Sequence, residues 1–161
     1  MSNILFIGYR PQEMGGFQGN LLQDNIKSKI DKIISSLKPT DTIYTGLSLG
    51  IDQWVAESAI KYKIPYIVYL AYEGQENRWF STTKSLYKQL LKGSKEIIYH
   101  NRGTFDVKKL IARDQKLVDL ADIIYSFYHG KHINLKYAEK MKKDIRDIMP
   151  IGQDDDYFIT I

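Results

Sequence analysis

A glycine and an arginine stand together where the first apolar run of the chain ends. The run NILFIG ends at Gly8 and is followed directly by Tyr9 and Arg10. Glycine lets a ligand approach the backbone closely, and arginine binds phosphate or carboxylate with a planar fork of N–H donors. The chemistry predicted for these three residues is an anion clamp. An ordinary turn with a solvated arginine explains the same residues, so both interpretations stay open.

A second segment with this character, GLSLGID at positions 46–52, leads directly into a helical pattern. Glycines between a strand and a helix expose backbone N–H groups at a helix N-terminus, where the helix dipole favours an anion. We therefore predict a phosphate site that includes Gly46, Leu47, Ser48 and Gly50. Asp52 could cap the helix, the commoner role for an aspartate at a helix start, or accept a hydrogen bond from a ribose hydroxyl.

Neither segment has the spacing of a common cofactor motif. The glycines follow neither the dinucleotide G-x-G-x-x-G pattern nor the Walker G-x-x-x-x-G-K-[ST] pattern, so ordinary NAD or ATP binding is not indicated and no cofactor is expected. The chain has no cysteine, and its three histidines have no paired spacing. We therefore expect no metal site.

The elements that must position these segments alternate along the chain. Short apolar runs predict strands over Asn3–Gly8, Asp41–Gly46, Pro65–Leu70, Glu96–Tyr99 and Ile123–Phe127. Helical spacing of apolar residues predicts helices over Leu21–Leu37, Ile51–Tyr62, Thr83–Leu91, Val107–Leu120 and Asn134–Lys142.

This alternation is typical of a Rossmann-like α/β fold with three layers. Right-handed crossovers place the strands in a mainly parallel sheet with helices on both faces, and ligands bind beyond the carboxyl ends of the strands. We expect one such domain over residues 1–161. The apolar end, Tyr157–Ile161, could form an edge strand or contact another subunit.

Composition narrows the class of protein. The chain has 161 residues, 43% of them hydrophobic, and 23 basic against 19 acidic residues give a net charge of +4. The basic residues are interspersed with acidic ones, so the charge favours an anionic partner only weakly. Without cysteines, a leader-like segment or a long apolar run, the expected location is the cytoplasm, with no membrane association.

Several motifs together resemble the YpsA/YspA-like proteins of the SLOG superfamily. The stretch IGYRP with MGGF is similar to their G-[HY]-R-P opening, and TGLSLGIDQW is similar to their T-G-x-A-x-G-[VI]-D-Q-W. The stretches that begin with Gly74-Gln75-Glu76 and with Arg113-Asp114 continue the resemblance along almost the whole chain. It implies a Rossmann-like fold, a nucleotide-derived ligand, and a homo-oligomer. Glu76 and Arg113 enter the predicted site through it.

The segment before the last predicted helix departs from this family and its relatives. LOG-type phosphoribohydrolases, which are related more distantly, carry P-G-G-x-G-T-x-x-E there, and its glutamate assists cleavage of the N-glycosidic bond. This chain has HGKHIN at positions 129–134, and no carboxylate matches that glutamate. We therefore assign no catalytic residue. Lys131 and His132 could replace the missing glycines with positive charge, or could be exposed loop residues.

Aromatic residues near strand ends complete the candidate site. Tyr128 and Tyr9 could stack on a base or pack against the sheet, because both kinds of site use aromatic faces. For Trp54, one turn into a helix, packing against the sheet is favoured.

Three functions follow from these observations. The favoured one is a protein that binds or sequesters an ADP-ribose-like or cyclic nucleotide signal. The second is a nucleotide N-glycosidase or phosphoribohydrolase that uses Arg113 with an acid such as Asp52, Glu57 or Glu76. The third, a DprA-like binder of single-stranded DNA, ranks last because the lysines are dispersed among acidic residues.

Overall fold

A six-stranded parallel sheet runs through the centre of the computed structural model, which describes residues 1–16, 19–77, 79–100, 106–128 and 132–148. The strands are β1 (Asn3–Ile7), β2 (Thr42–Thr45), β3 (Tyr66–Leu70), β4 (Glu96–Tyr99), β5 (Ile123–Ser126) and β6 (Asp144–Asp147). The helices are α1 (Leu21–Ser35), α2 (Ile51–Tyr62), α3 (Ser81–Gly93), α4 (Val107–Leu120) and α5 (Ile133–Lys140), and a short 3-10 helix covers Pro11–Met14.

The strand order is β4-β3-β2-β1-β5-β6. After β1 the chain continues to β2 on one side of the β1–β5 pair, and after β5 it continues to β6 on the other side. Strands β1 and β5 lie side by side, with Ile4 aligned to Ile123 and Ile7 aligned to Ser126. In open α/β sheets, a crevice forms beyond the carboxyl ends of two such strands, and ligands bind in it. The topology therefore places the loops after β1 and β5 at the expected ligand position.

Alternating side chains of β1 build two separate cores. Ile4 and Phe6 belong to the core shared with α1, α2 and α3, whereas Leu5 and Ile7 belong to the core shared with α4 and α5. Because successive side chains of a strand point to opposite faces, the two sets of helices cover opposite faces of the sheet. The predicted three-layer α/β architecture is confirmed. The bounds of α2, α4 and β4 are those predicted, and the other predicted elements differ by one or two residues at their ends.

Strand β6 was missed by the sequence analysis. Its residues read DIRD, and only Ile145 is apolar. Because β6 lies at the edge of the sheet, its charged residues are exposed, and the segment has no apolar run by which a strand could be recognised. The predicted apolar end at Tyr157–Ile161 lies outside the described residues, and its role stays a prediction. Among the residues that the structure describes, no helix is long and apolar enough to cross a membrane.

Candidate ligand-binding site

A cleft of about 800 Å³ opens at the carboxyl ends of the central strands. The loops after β1, β2, β3 and β5 line it, together with the first turns of α2, α4 and α5. Seven of the predicted site residues are in its lining: Gly8, Tyr9, Arg10, Ser48, Asp52, Arg113 and Tyr128. Four others are described but do not line it: Gly46, Leu47, Gly50 and Glu76. Lys131 lies outside the described residues.

Gly8 lets the end of β1 pack closely against the start of α2. A Cβ atom at this position would collide with Cδ1 of Ile51 and would lie 3.1 Å from Cβ of Phe127. Beyond it, Arg10 is exposed at the mouth of the cleft, and its backbone N–H donates to Oε1 of Glu13 at 3.1 Å. The glycine therefore serves close packing, and the arginine side chain stands at the entrance.

The β2–α2 turn has an unusual backbone that its neighbours hold in place. Leu47 has a φ of 54° although it is not a glycine, and Gly50 has a φ of 94°. The N–H of Leu47 donates to Oγ1 of Thr45 at 3.1 Å, and Nε2 of Gln53 donates to the carbonyl of Leu47 at 3.2 Å. The Leu47 side chain is fully buried in the core. The Leu47 side chain therefore anchors the turn, and its predicted contact with a ligand stays a prediction.

Gly50 occupies the cap position of α2 and packs against the loop after β1. A Cβ atom there would lie 3.0 Å from Cδ of Pro11, and the left-handed backbone would be strained with a side chain. Because Ser48, Ile51 and Asp52 all line the cleft, the N-terminus of α2 begins beside it.

Asp52 closes the turn instead of capping the helix. Its Oδ2 accepts a hydrogen bond from the N–H of Ser48 at 3.2 Å, in the segment that precedes the cap. Burial raises the pKa of Asp52 to about 6; the charge of Arg113 opposes this shift, and that of Asp114 adds to it. A carboxyl group with this pKa can hold or release a proton near neutral pH.

Arg113 is 2% exposed and lies under the β2–α2 turn. Its Nη1 donates to the carbonyls of Gly46 at 3.1 Å and Tyr69 at 3.3 Å, and its Nη2 donates to Oγ of Ser48 at 3.3 Å. Its Nε donates to Oδ1 of Asp114 at 2.7 Å. Arg113 therefore joins α4 to the ends of β2 and β3, and its Nε, Nη1 and Nη2 all donate to protein groups.

The close fit of Arg113 explains the glycine at position 46. A Cβ atom on Gly46 would collide with Nη1 of Arg113 and would lie 2.6 Å from its Cζ. Both residues are predicted as ligand residues from the sequence. Their contact with each other is not, because they lie 67 positions apart.

Two residues outside the predicted set extend this network across the cleft. Oδ2 of Asp114 accepts a hydrogen bond from Nδ2 of Asn134 at 3.3 Å. The only sequence signal for Asp114 was its place beside Arg113 in a family-like stretch, and Asn134 carried none. Both line the cleft.

Aromatic rings form the wall at the β1–β5 junction. The Tyr9 and Tyr128 rings meet edge to face, with centroids 5.0 Å apart, and the His132 ring stacks on Tyr128 at 3.9 Å. Nδ1 of His132 accepts from the N–H of Asn134 at 3.3 Å and caps α5. Burial lowers the pKa of His132, so its neutral form is favoured at pH 7. The His132 ring thus packs against Tyr128 and its Nδ1 caps α5, and its role toward a ligand stays a prediction.

The β3–α3 loop contributes Gln75 where the sequence pointed to Glu76. Nε2 of Gln75 donates to the carbonyl of Gly46 at 3.0 Å, and Gln75 lines the cleft. Its Oε1 is buried and has no hydrogen-bond partner in the described part of the chain. Trp79 also lines the cleft, and its N–H donates to the carbonyl of Glu76 at 2.9 Å.

Trp54 lies away from the cleft, partly buried against the core of α1, α2 and α3, with Nζ of Lys27 4.9 Å from its ring centroid. Within the described ranges, no group of three histidine, aspartate or glutamate side chains is placed to hold a metal ion. The expectation of no metal stays a prediction.

The model of the YspA SLOG family matches residues 4–155. No curated protein matches the sequence. Among solved structures, DNA processing protein A (DprA) from Streptococcus pneumoniae superposes with a TM-score of 0.70 at 16% identity, over 95% of this chain and 52% of that one. DprA from Helicobacter pylori, described with its single-stranded DNA binding mode, gives 0.64 at 14% identity, over 91% of this chain and 64% of that one.

The molybdenum cofactor carrier protein from Chlamydomonas reinhardtii gives a TM-score of 0.57 at 13% identity, over 99% of this chain and 83% of that one. This chain therefore spans about half of the pneumococcal DprA chain and less than two thirds of the Helicobacter one. At these identities the structural neighbours share the fold. Because the family model spans nearly the whole sequence, the protein belongs to the YspA SLOG family.

Proposed function

We propose that this protein binds a nucleotide-derived small molecule, an ADP-ribose-like or cyclic nucleotide, in the cleft at the ends of β1 and β5. The observation that carries the proposal is the cleft itself. It has about 800 Å³ at the switch point of a Rossmann-like sheet, with a helix N-terminus and an exposed arginine at one side and aromatic rings at another. Small ligands of α/β sheets bind at such positions.

We expect the phosphate of the ligand to bind beside the start of α2. The 12-residue helix α2 begins at Ile51, directly after Gly50, where a side chain would be strained, and its first turn lines the cleft. Backbone N–H groups at a helix N-terminus favour an anion, and Arg10 can add a charge-assisted hydrogen bond from the mouth.

We expect the base of the ligand to bind between the aromatic wall of Tyr9, Tyr128 and His132 and the first turns of α4 and α5. Val107 and Ile133, the first residues of these helices, both line the cleft and are 56% and 54% exposed. Large apolar side chains beside aromatic rings suit the faces of a planar base.

Sequestration is favoured over cleavage because the LOG-type glutamate has no counterpart in this chain. An assembly of several copies, which the family resemblance implies, fits a protein that stores a signal.

One observation favours a second candidate, a nucleotide N-glycosidase. Asp52 lines the cleft, and its pKa of about 6 suits a general acid or base at neutral pH. Binding of single-stranded DNA has less support, because the lysines of the chain are dispersed among acidic residues and a phosphate backbone requires a continuous basic groove.

The test is to incubate the purified protein with ADP-ribose, cyclic nucleotides and nucleoside monophosphates, then to denature it by heat and analyse the soluble molecules by chromatography and mass spectrometry. Depletion of an intact nucleotide before heating and its recovery afterwards are expected. Release of a free base with ribose phosphate would show cleavage and would favour the glycosidase over sequestration. If every nucleotide stays in solution unchanged, both functions are rejected for these compounds.

A further inference from the structure

One end of the Gln75 amide is hydrogen-bonded and the other is not. Gln75 lies in the β3–α3 loop and lines the cleft. Its Nε2 donates to the carbonyl of Gly46 at 3.0 Å, whereas its Oε1 is buried and accepts from no group that the structure describes. A buried acceptor without a donor costs free energy, and native proteins contain few of them. This oxygen is therefore a candidate contact for a ligand in the cleft.

The hydrogen bonds of Gly46 fix which end of the amide is bonded. Besides Nε2 of Gln75, the Gly46 carbonyl accepts from Nη1 of Arg113 at 3.1 Å. Donors thus occupy both lone pairs of this carbonyl. Turning the Gln75 amide over would set Oε1 against the carbonyl oxygen, and two acceptors repel each other at hydrogen-bonding distance. The amide is therefore held with its N–H group on Gly46 and with Oε1 turned away from it.

The backbone around Gln75 is held as well. Gly74 has a φ of 75°, and its carbonyl accepts from the N–H of Asn77 at 3.0 Å in a tight turn. Farther along the loop, the Trp79 ring meets the buried Tyr87 ring edge to face, with centroids 5.2 Å apart. These contacts tie the loop to the core and keep the Gln75 amide at the wall of the cleft. A donor for Oε1 therefore has to come to it.

The chemistry of a nucleotide limits which of its groups can be that donor. Phosphate oxygens are strong acceptors near neutral pH and would repel Oε1. Ribose hydroxyls and the amino groups of bases can donate. The partner of Oε1 therefore belongs to the nucleoside, which agrees with a phosphate beside the start of α2 and Arg10.

We propose that Gln75 is a specificity-determining residue of the cleft, whose Oε1 accepts a hydrogen bond from the nucleoside part of the ligand. The donor is either a ribose hydroxyl or the amino group of the base. This inference rests on the proposed function, since it concerns the same site. A nucleotide that lacks this one donor binds less well, because it leaves the acceptor buried without a partner.

The test compares nucleotides that each lack one donor. Purine riboside monophosphate lacks the amino group of AMP, and 2′-deoxy-AMP and 3′-deoxy-AMP each lack one ribose hydroxyl. The same three changes are made in the adenosine half of ADP-ribose, and dissociation constants are measured by calorimetry at pH 7.5. We expect at least one change to weaken binding by about tenfold or more, and that change identifies the donor.

The residue that reads the donor is tested with Gln75→Met, which removes the acceptor and keeps a side chain of similar size. The matched control is Asn25→Leu, because Oδ1 of Asn25 on α1 is also buried without a described partner but Asn25 does not line the cleft. We expect the discrimination to fall below about threefold in Gln75→Met and to persist in Asn25→Leu. A purely structural role of Gln75 would weaken binding of all the nucleotides equally and leave the discrimination unchanged.

The possible results separate the two proposals. Equal binding of the parent nucleotides and all their analogues overturns the role of Gln75 and leaves nucleotide binding standing. A discrimination that survives in Gln75→Met, or that disappears equally in Asn25→Leu, also overturns it. Failure of AMP, ADP-ribose and every analogue to bind overturns the proposed function as well.

Discussion

The floor and the rim of the cleft use arginine in different ways. The floor, formed by Gly46, Ser48, Arg113 and Asp114, is a closed set of hydrogen bonds around a guanidinium that is 2% exposed. The rim, formed by Arg10, Val107 and Ile133, is exposed. An arginine in a cleft can bind a ligand only where its N–H donors remain accessible. Changes in the floor should therefore reduce stability, and changes in the rim should reduce binding.

The largest expected effect is that of Arg113→Ala. The substitution removes four hydrogen bonds, leaves the Asp114 carboxylate without its cation and opens a void between α4 and the sheet. The Asp114 side chain is 32% exposed, so its carboxylate can be hydrated, and we expect a loss of about 2–4 kcal/mol, below that for a fully buried ion pair. Urea unfolding should show a loss of this size in the free energy of unfolding. A loss below about 1 kcal/mol, together with lost nucleotide binding, would instead make Arg113 a ligand residue.

Gly46→Ala should have the next largest effect, because its Cβ atom would collide with the Arg113 guanidinium. Overpacking of a buried site typically costs about 1–3 kcal/mol. Gly19→Ala is the control, since a Cβ atom at Gly19 meets nothing within 4 Å. In a double-mutant cycle, Gly46→Ala should cost much less when Arg113 is already alanine. Simple addition of the two losses would show that the collision does not cause the effect.

Asp52→Asn should stabilise the protein at pH 7.5. Burial raises the pKa of Asp52 from 3.8 to about 6 in the folded state, so ionisation there favours the unfolded chain. The penalty is fully present above pH 6 and absent below about pH 4. Asparagine keeps an acceptor for the N–H of Ser48. We expect a gain of up to about 3 kcal/mol at pH 7.5 and almost none at pH 4; an equal gain at both pH values would exclude the carboxylate charge as its cause.

Much of the fold could be predicted from sequence because the core-forming elements have strong apolar patterns. Val107–Leu120 has helical spacing along its whole length and was predicted with its observed bounds. β6 could not be found in this way, because pairing with β5 is what makes its charged segment a strand. The strand order also depends on contacts between distant segments, which local periodicity does not contain.

Residue types at strand ends could be read from the sequence, but their contacts could not. Glycine and arginine at strand ends marked one edge of the sheet, since parallel strands bring such segments together. Local sequence could not show that Gly46 accommodates Arg113, or that the Leu47 side chain turns into the core, because both depend on packing across the sheet. Asn134 was missed for the same reason, because its hydrogen-bond partner Asp114 comes from another element.

The smallest effect on stability is expected for Arg10→Ala, at the rim. Arg10 is exposed, so its loss should change the free energy of unfolding by less than about 0.5 kcal/mol. A charge-assisted hydrogen bond to phosphate contributes about 1.5–3 kcal/mol, so nucleotide affinity should fall by roughly tenfold or more, and the remaining binding should depend less on salt. Lys88→Ala, which removes an exposed charge from α3, is the control. If both variants bind nucleotide equally well, the phosphate does not lie at the Arg10 end, and the orientation proposed for the ligand is wrong.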